Sequence, residues 1–116
     1  MEEFGQISLL PNLGEEIEEE DRIRQKEEEN QVEALLFSMG RSVSVEEIAI
    51  CLNMGKEGAI LAAERLRARY EERQEGLLIK KLEDRYQMVS HPKTYEGLIS
   101  VVKSPRKPVL SDVALE

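Results

Sequence analysis

The chain has 116 residues, 41% hydrophobic and 4% aromatic with no Trp, and a net charge of −8. That is room for one small aliphatic domain and a tail, and a domain of this size buries only about two-thirds of the surface its unfolded chain exposes. The single cysteine, Cys51, excludes an internal disulfide and fits a reducing compartment. With no run of about 18 apolar residues and no basic-then-apolar start, the expected location is the cytoplasm.

The charge is uneven. Residues 1–30 hold eleven acids against three bases (Arg22, Arg24, Lys26), whereas residues 31–116 hold thirteen of each. The acidity belongs to the tail, and the neutral remainder lacks the broad positive field that drives non-specific nucleic-acid binding.

Residues 1–14 carry Gly, Pro and aperiodic apolar residues, the pattern of a disordered or short docking segment. Residues 15–31 are good helix formers, but only Ile17 and Ile23 are apolar, so they read as a frayed, solvated extension of the next helix. An acidic arm meeting a basic partner is the sharper alternative. Residues 1–30 are therefore set apart from a folded domain at 31–103.

Val32, Leu35, Leu36 and Met39 recur at i, i+3, i+4 and i+7 on one face of a helix that Gly40 ends. Ser44 and Glu47 have the spacing of a capping box. The helix they open stripes Val45, Ile48, Ala49 and Leu52 and ends near Asn53 and Gly55. A third helix, 56–74, turns Ile60, Ala63, Leu66 and Tyr70 inward and Arg65, Arg67, Arg69 and Arg73 largely outward, with Gly76 as its stop. The period then changes: 77–83 and 86–90 are short extended runs about Asp84-Arg85, a β-hairpin. Pro92 suits the first turn of a fourth helix, where Tyr95, Leu98, Ile99 and Val102 repeat at helical spacing. Two prolines make 103–108 a stiff basic linker. Ser111-Asp112 reads as the cap of a further helix, so 104–116 reads as a linker and the start of a second domain. Three helices, a two-stranded hairpin and a closing helix make a mainly α winged helix-turn-helix.

The segments EALLFSMGRSVSVEEIAICL (33–52), GLLIKKLEDRYQMVSHPKTYEGL (76–98) and PRKPVLSDVALE (105–116), in this order and spacing, resemble segregation and condensation protein B (ScpB). The resemblance covers 31–116 and leaves out 1–30. It implies the first of two tandem winged helices, with "LS-ALE" opening the second. It implies a subunit of the bacterial condensin-like complex in chromosome condensation and segregation. Such a subunit pairs with itself and binds the kleisin ScpA, and through it the SMC ATPase. The resemblance also implies self-association largely in the first winged helix and much of the kleisin contact in the second.

No enzyme chemistry stands out. His91 is the sole histidine, without a positioned partner, and reads as a helix-start residue. Cys51, between Ile50 and Leu52, reads as a small core hydrophobe. Met54 to Gly58 lacks the phosphate-loop pattern. The expected catalytic, metal and cofactor sets are empty, with no small-molecule substrate and no membrane partner.

DNA binding by a winged-helix transcription regulator is the rival reading, since such folds read the major groove with the start of the last helix. Here that start is Lys56, Glu57, Gly58, Ala59: one base, one acid, then small residues that read no base edge. Lys80, Lys81 and Arg85 on the wing are candidates for weak backbone contacts, as are Lys103, Arg106 and Lys107, so DNA contact is expected to be weak and non-specific at most. A generic dimerisation module unrelated to chromosomes is the third reading. The hairpin favours protein binding, because Leu77, Leu78 and Ile79 place apolar groups on both of its faces. Leu77, Ile79, Tyr86 and Met88 are the candidate dimer or partner surface. The competing possibility is that the helix after Pro92 folds back over the exposed face.

Overall fold

The computed structural model describes the backbone of residues 3–104 and the side chains of residues 14–104. It contains α1 (Glu3–Met39), β1 (Val43–Ser44), α2 (Val45–Leu52), α3 (Lys56–Arg73), β2 (Leu77–Leu82), β3 (Arg85–Ser90), a 3-10 turn (Pro92–Thr94) and α4 (Tyr95–Val102). This is the winged helix-turn-helix expected, with one addition. The hairpin is not two-stranded: β1 joins it, giving an antiparallel sheet in the order β1-β3-β2. Val43 pairs with Tyr86 and Ser44 with Arg85. Two residues are too short a run to show period-2 alternation, which is why β1 left no sequence signal.

The first helix is longer than the apolar period implied. It is continuous from Glu3, so residues 15–27, rich in Glu, extend it into solvent. The expected boundary at residue 31 falls too late, because Glu28 and Glu29 already belong to the packed body through ion pairs to α3. At its other end Val32 and Leu36 are buried and Leu35 packs beside them, while Met39 is exposed. Gly40 follows at φ 65, the left-handed stop that glycine tolerates.

The capping box at the start of α2 is present. The Ser44 Oγ accepts from the Glu47 amide at 3.1 Å, and the Ser44 amide donates to Glu47 Oε1 at 2.9 Å. Arg41 closes on the same carboxylate, Nη2 to Oε2 at 2.9 Å. The Arg41 hydrogen bond and then the Ser44 amide hold the Glu47 carboxyl down at about 2. Val45 and Ile48 are buried with Ala49 and Leu52 packed against them, as the stripe required. Cys51 is not in the core: it is exposed, as is Ile50. Residues 50 and 51 lie on the side of the helix away from the 45-48-49-52 stripe.

On α3 the buried set is Ala59, Ala62, Ala63, Leu66 and Tyr70, with Ile60 only partly covered. Small residues at 59, 62 and 63 let α3 lie close against its neighbours. The helix ends before Gly76, with Gln74 left-handed at φ 53. The hairpin turn is likewise one residue earlier than expected. Leu82 pairs with Arg85, leaving Glu83-Asp84 as the two-residue loop with Glu83 at φ 56. The core closes around Val32, Leu36, Val43, Ile48, Leu66 and Tyr86.

Candidate protein-docking surface

The hairpin register decides what the wing offers. Ile79 faces Met88 and Leu77 faces Ser90, while Lys81 faces Tyr86. Alternation therefore puts Leu77, Ile79, Tyr86 and Met88 on one face of the sheet. That face is turned to the helices. Ile79 and Tyr86 are buried core residues and present nothing to a partner, which corrects their assignment to a docking surface. The ring of Tyr86 fills the interior between sheet and helices, and its hydroxyl donates to Glu64 Oε2 at 2.6 Å. Leu77, 41% exposed, and half-buried Met88 lie at the edge of the same face.

At that edge a groove of about 330 Å³ opens, lined by Ala34, Phe37, Tyr70, Leu77 and Met88, with Asn30 and Glu33 at its polar side. Phe37, 75% exposed, is its most prominent wall. It was missed because it falls outside the α1 stripe. An aromatic side chain off the buried stripe of a helix that packs elsewhere is the signal that would have found it.

Its polar floor is firmly held. Tyr70 donates to Glu33 Oε2, and burial followed by that hydrogen bond pushes the phenol up to about 12. One turn away, Glu29 accepts from Arg65 Nε at 2.8 Å and from Arg69 Nη1 at 2.5 Å, and Glu28 accepts from Arg65 Nη2 at 2.9 Å. Desolvation alone would raise the Glu29 carboxyl; the hydrogen bonds from Arg65 and Arg69 overcome it, and the net direction is down. Glu64 follows the same rule: burial opposes ionisation, and Tyr86, Arg67 and Lys81 outweigh it. These pairs rivet α1 and the wing to α3.

The second apolar surface is α4. Tyr95, Leu98, Ile99, Val101 and Val102 are all 46–51% exposed, and the helix buries none of its side chains. The fold-back over the wing is not what the structure adopts. The chain leaves β3 through a fixed joint instead. The His91 amide donates to the Gly76 carbonyl at 2.8 Å, its Nδ1 accepts from the Lys93 amide at 3.1 Å, and its Nε2 lies 2.9 Å from Gln74 Oε1. With Nδ1 accepting, Nε2 carries the proton and donates to Gln74. Both ring nitrogens of His91 thus serve the start of the turn.

The wing bases do not form one patch. Lys81 sits 3.5 Å from Glu64 and over the Tyr86 ring, on the helix-facing side. Arg85 donates to Ser42 Oγ at 2.9 Å and to the Ser42 carbonyl at 3.1 Å. Lys80 is exposed on the opposite face. At the leading end of α3, Lys56 pairs with Glu46 at 3.1 Å, and the exposed side chain a turn later is Leu61. Arg106 and Lys107 lie outside the described residues, as does the expected start of a second domain at 111–116. Among the described residues no three His, Cys, Asp or Glu side chains cluster as metal ligands, and no helix is long and apolar enough to cross a membrane.

Comparison with known proteins decides the family. The model for "Segregation and condensation complex subunit ScpB" matches residues 30–116. The chain belongs to the ScpB family. Among ScpB relatives, "Segregation and condensation protein B" of Agathobacter rectalis is 40% identical over 73% of this chain and 46% of its own length. That of Lachnoclostridium phytofermentans is 34% identical over 78% of this chain and 48% of its own. This chain thus spans about half the length of the curated ScpB proteins it matches. In fold it is similar to a solved ScpB N-terminal domain, crystallised as a dimer with an ScpA peptide. That likeness has a TM-score of 0.62 at 24% identity and covers 66% of this chain and 96% of the other.

Proposed function

We propose that this chain is the N-terminal winged helix of a non-enzymatic accessory subunit of the bacterial SMC–kleisin complex, acting in the cytoplasm in chromosome condensation and segregation. It works by pairing with itself and by contacting the kleisin ScpA, and through ScpA the SMC ATPase. The observation that carries this reading is the family match over 30–116 together with apolar surface, on Phe37 and along α4, that the described fold leaves uncovered. Exposed apolar side chains grouped on two elements are what a protein-binding module presents. A non-enzymatic role is supported by the engagement of His91 in helix capping and of Glu29, Glu47 and Glu64 with arginines.

A winged-helix transcription regulator would need a base-reading end on α3. Lys56 is committed to Glu46 there, and Leu61 stands where a polar reader is required. Weak, non-specific backbone contact from Lys80 is compatible with the proposal.

The test is a pulldown with the kleisin encoded in the same genome, using the full-length protein and residues 1–116. Sedimentation of 1–116 at about 100 µM, where a micromolar dimer is fully assembled, accompanies it. The full-length protein is expected to retain the kleisin and the 1–116 chain to sediment as a dimer. A full-length protein that ignores the kleisin, or steep salt-dependent duplex binding with a sequence preference, overturns the reading.

A further inference from the structure

Among the described residues the sheet has one long edge without a partner strand. β2 is the outer strand, with β3 on one side and no strand on the other. Which of its backbone groups look outward follows from the bonds at the two ends of the ladder. The His91 amide donates to the Gly76 carbonyl at 2.8 Å, and across β3 the Val45 amide donates to the Asp84 carbonyl at 3.0 Å. Antiparallel pairs alternate between hydrogen-bonded and open. With Leu78 opposite Val89, Lys80 opposite Gln87 and Leu82 opposite Arg85, it is these three residues of β2 that bond to β3. The N–H and C=O groups of Leu77, Ile79 and Lys81 therefore point to the free edge. Among the described residues no backbone or side-chain group bonds to them there.

We propose that this edge takes up an extended segment of a different protein as a fourth strand, and that the segment reads apolar–x–acidic–x–apolar. The proposal stands apart from the self-association and the kleisin contact above, since it needs only the sheet edge.

Each part of that pattern has its counterpart on β2. Strand addition requires donors and acceptors at every second residue, which Leu77, Ile79 and Lys81 supply. The side chains that flank an added strand on the face turned from the helices are Leu78, Lys80 and Leu82. The middle one, Lys80, is exposed and has no ion-pair partner among the described residues. An acid across from it is the favourable cross-strand pair, and a base there is unfavourable. Beside it, Leu78 forms with Val89, Pro92 and Tyr95 the apolar wall of a hollow of about 270 Å³ that reaches α3 at Arg67 and Glu71. That hollow accommodates one apolar side chain of the added strand. On the other side of Lys80, Leu82 is 37% exposed and receives the second.

Lysines on an edge strand commonly keep other strands away. Here Lys81 does not serve that purpose, being held 3.5 Å from Glu64 and over the Tyr86 ring. Lys80 alone meets the added strand, so it rejects a basic strand and admits an acidic one. The same charge excludes β2 of a second copy as occupant, because that strand, Leu77–Leu82, carries two lysines and no acid.

The probe is the capped peptide Thr-Val-Thr-Glu-Thr-Val-Thr, titrated into the isotope-labelled 1–116 chain and followed by amide NMR. Its counterpart with Lys in place of Glu is the control. The expected result is movement of the Ile79 and Lys81 amide signals, with the lysine peptide binding about tenfold more weakly. Lys80→Glu is expected to reverse that preference. Lys81→Pro removes an outward N–H without removing a ladder bond, and is expected to abolish binding. Lys81→Ala is expected to keep the affinity within about threefold, its ion pair to Glu64 being partly exposed. No movement at Ile79 and Lys81 up to about 5 mM peptide overturns the proposal. So does a Lys81→Pro chain that binds as the unchanged one does. Equal affinity for the two peptides, or a glutamate preference that survives Lys80→Glu, overturns the acidic requirement. If Lys81→Pro loses its circular dichroism, the Lys80→Glu reversal decides alone.

Discussion

Helices α3 and α4 sit at opposite ends of a scale. α3 carries four arginines and four glutamates among eighteen residues, yet it buries five side chains at the centre of the domain. α4 has five large apolar side chains among its eight residues and buries none. Burial in this protein follows position in the topology, not the hydrophobicity of the segment. A polar helix with a narrow stripe of small residues fits between α1, α2 and the wing, because Ala59, Ala62 and Ala63 permit close approach. The apolar side chains of α4, which follows the hydrogen-bonded His91 turn, stay about half exposed.

Substitutions should separate the two helices most sharply. Leu66→Ala, at a fully buried site on α3, is expected to lower unfolding free energy by about 2–5 kcal/mol, read by urea denaturation. Leu98→Ala on α4 should change monomer stability by no more than about 0.5 kcal/mol. Equal losses at the two sites would remove the contrast.

The rivets of α3 come next. Glu29→Ala leaves Arg65 and Arg69 without their shared carboxylate and should cost about 1–2 kcal/mol, between the values for exposed and buried pairs. Because the Glu29 carboxyl is depressed in the folded state, its contribution is full above the ordinary value of 4.5 and is lost as pH falls through the folded value. The variant should therefore lose part of the acid-side slope in denaturation midpoint against pH.

Two titrations mark the ends of the pH range. Glu47 at about 2 contributes fully above pH 4.5 and loses its contribution as pH falls from there towards 2. Arg41→Ala should move the Glu47 carboxyl upward in an NMR titration. Tyr70 behaves oppositely: its phenol is raised from 10 to about 12, so its stabilisation is complete below pH 10 and is lost as pH rises towards 12. Glu33→Gln should bring the Tyr70 phenol down, followed by ultraviolet absorbance.

At the wing a small gain is expected instead of a loss. Glu83 holds a left-handed conformation at the first position of a two-residue turn, where glycine is unstrained. Glu83→Gly should raise stability by up to about 1 kcal/mol in thermal denaturation, and a loss would mean that the Glu83 side chain has a role in the turn.

Much of the fold could be read in advance, and the reason is visible element by element. The Ser44–Glu47 cap and the Val45–Ile48 stripe are interactions within four residues of sequence, so their spacing carries them whole. The change of period after Gly76 marked the hairpin for the same reason. The docking surface was harder. Of the four wing residues marked by apolarity, Ile79 and Tyr86 prove to be interior, because alternation tells which residues share a face but not which face turns inward. Phe37 and Leu77 line one groove from positions forty residues apart, and no local period announces that.

From the sequence by itself came the helix-turn-helix with its wing, the family resemblance, and the concentration of acid in the first thirty residues. All three are short-range or compositional properties. Tertiary structure alone decided that β1 completes the sheet, that Glu28 and Glu29 belong to the domain, that Cys51 faces outward while Ala62 faces in, and that α4 stays uncovered. Each of these depends on which surfaces meet across distant parts of the chain, a matter of packing geometry that residue type and spacing do not encode.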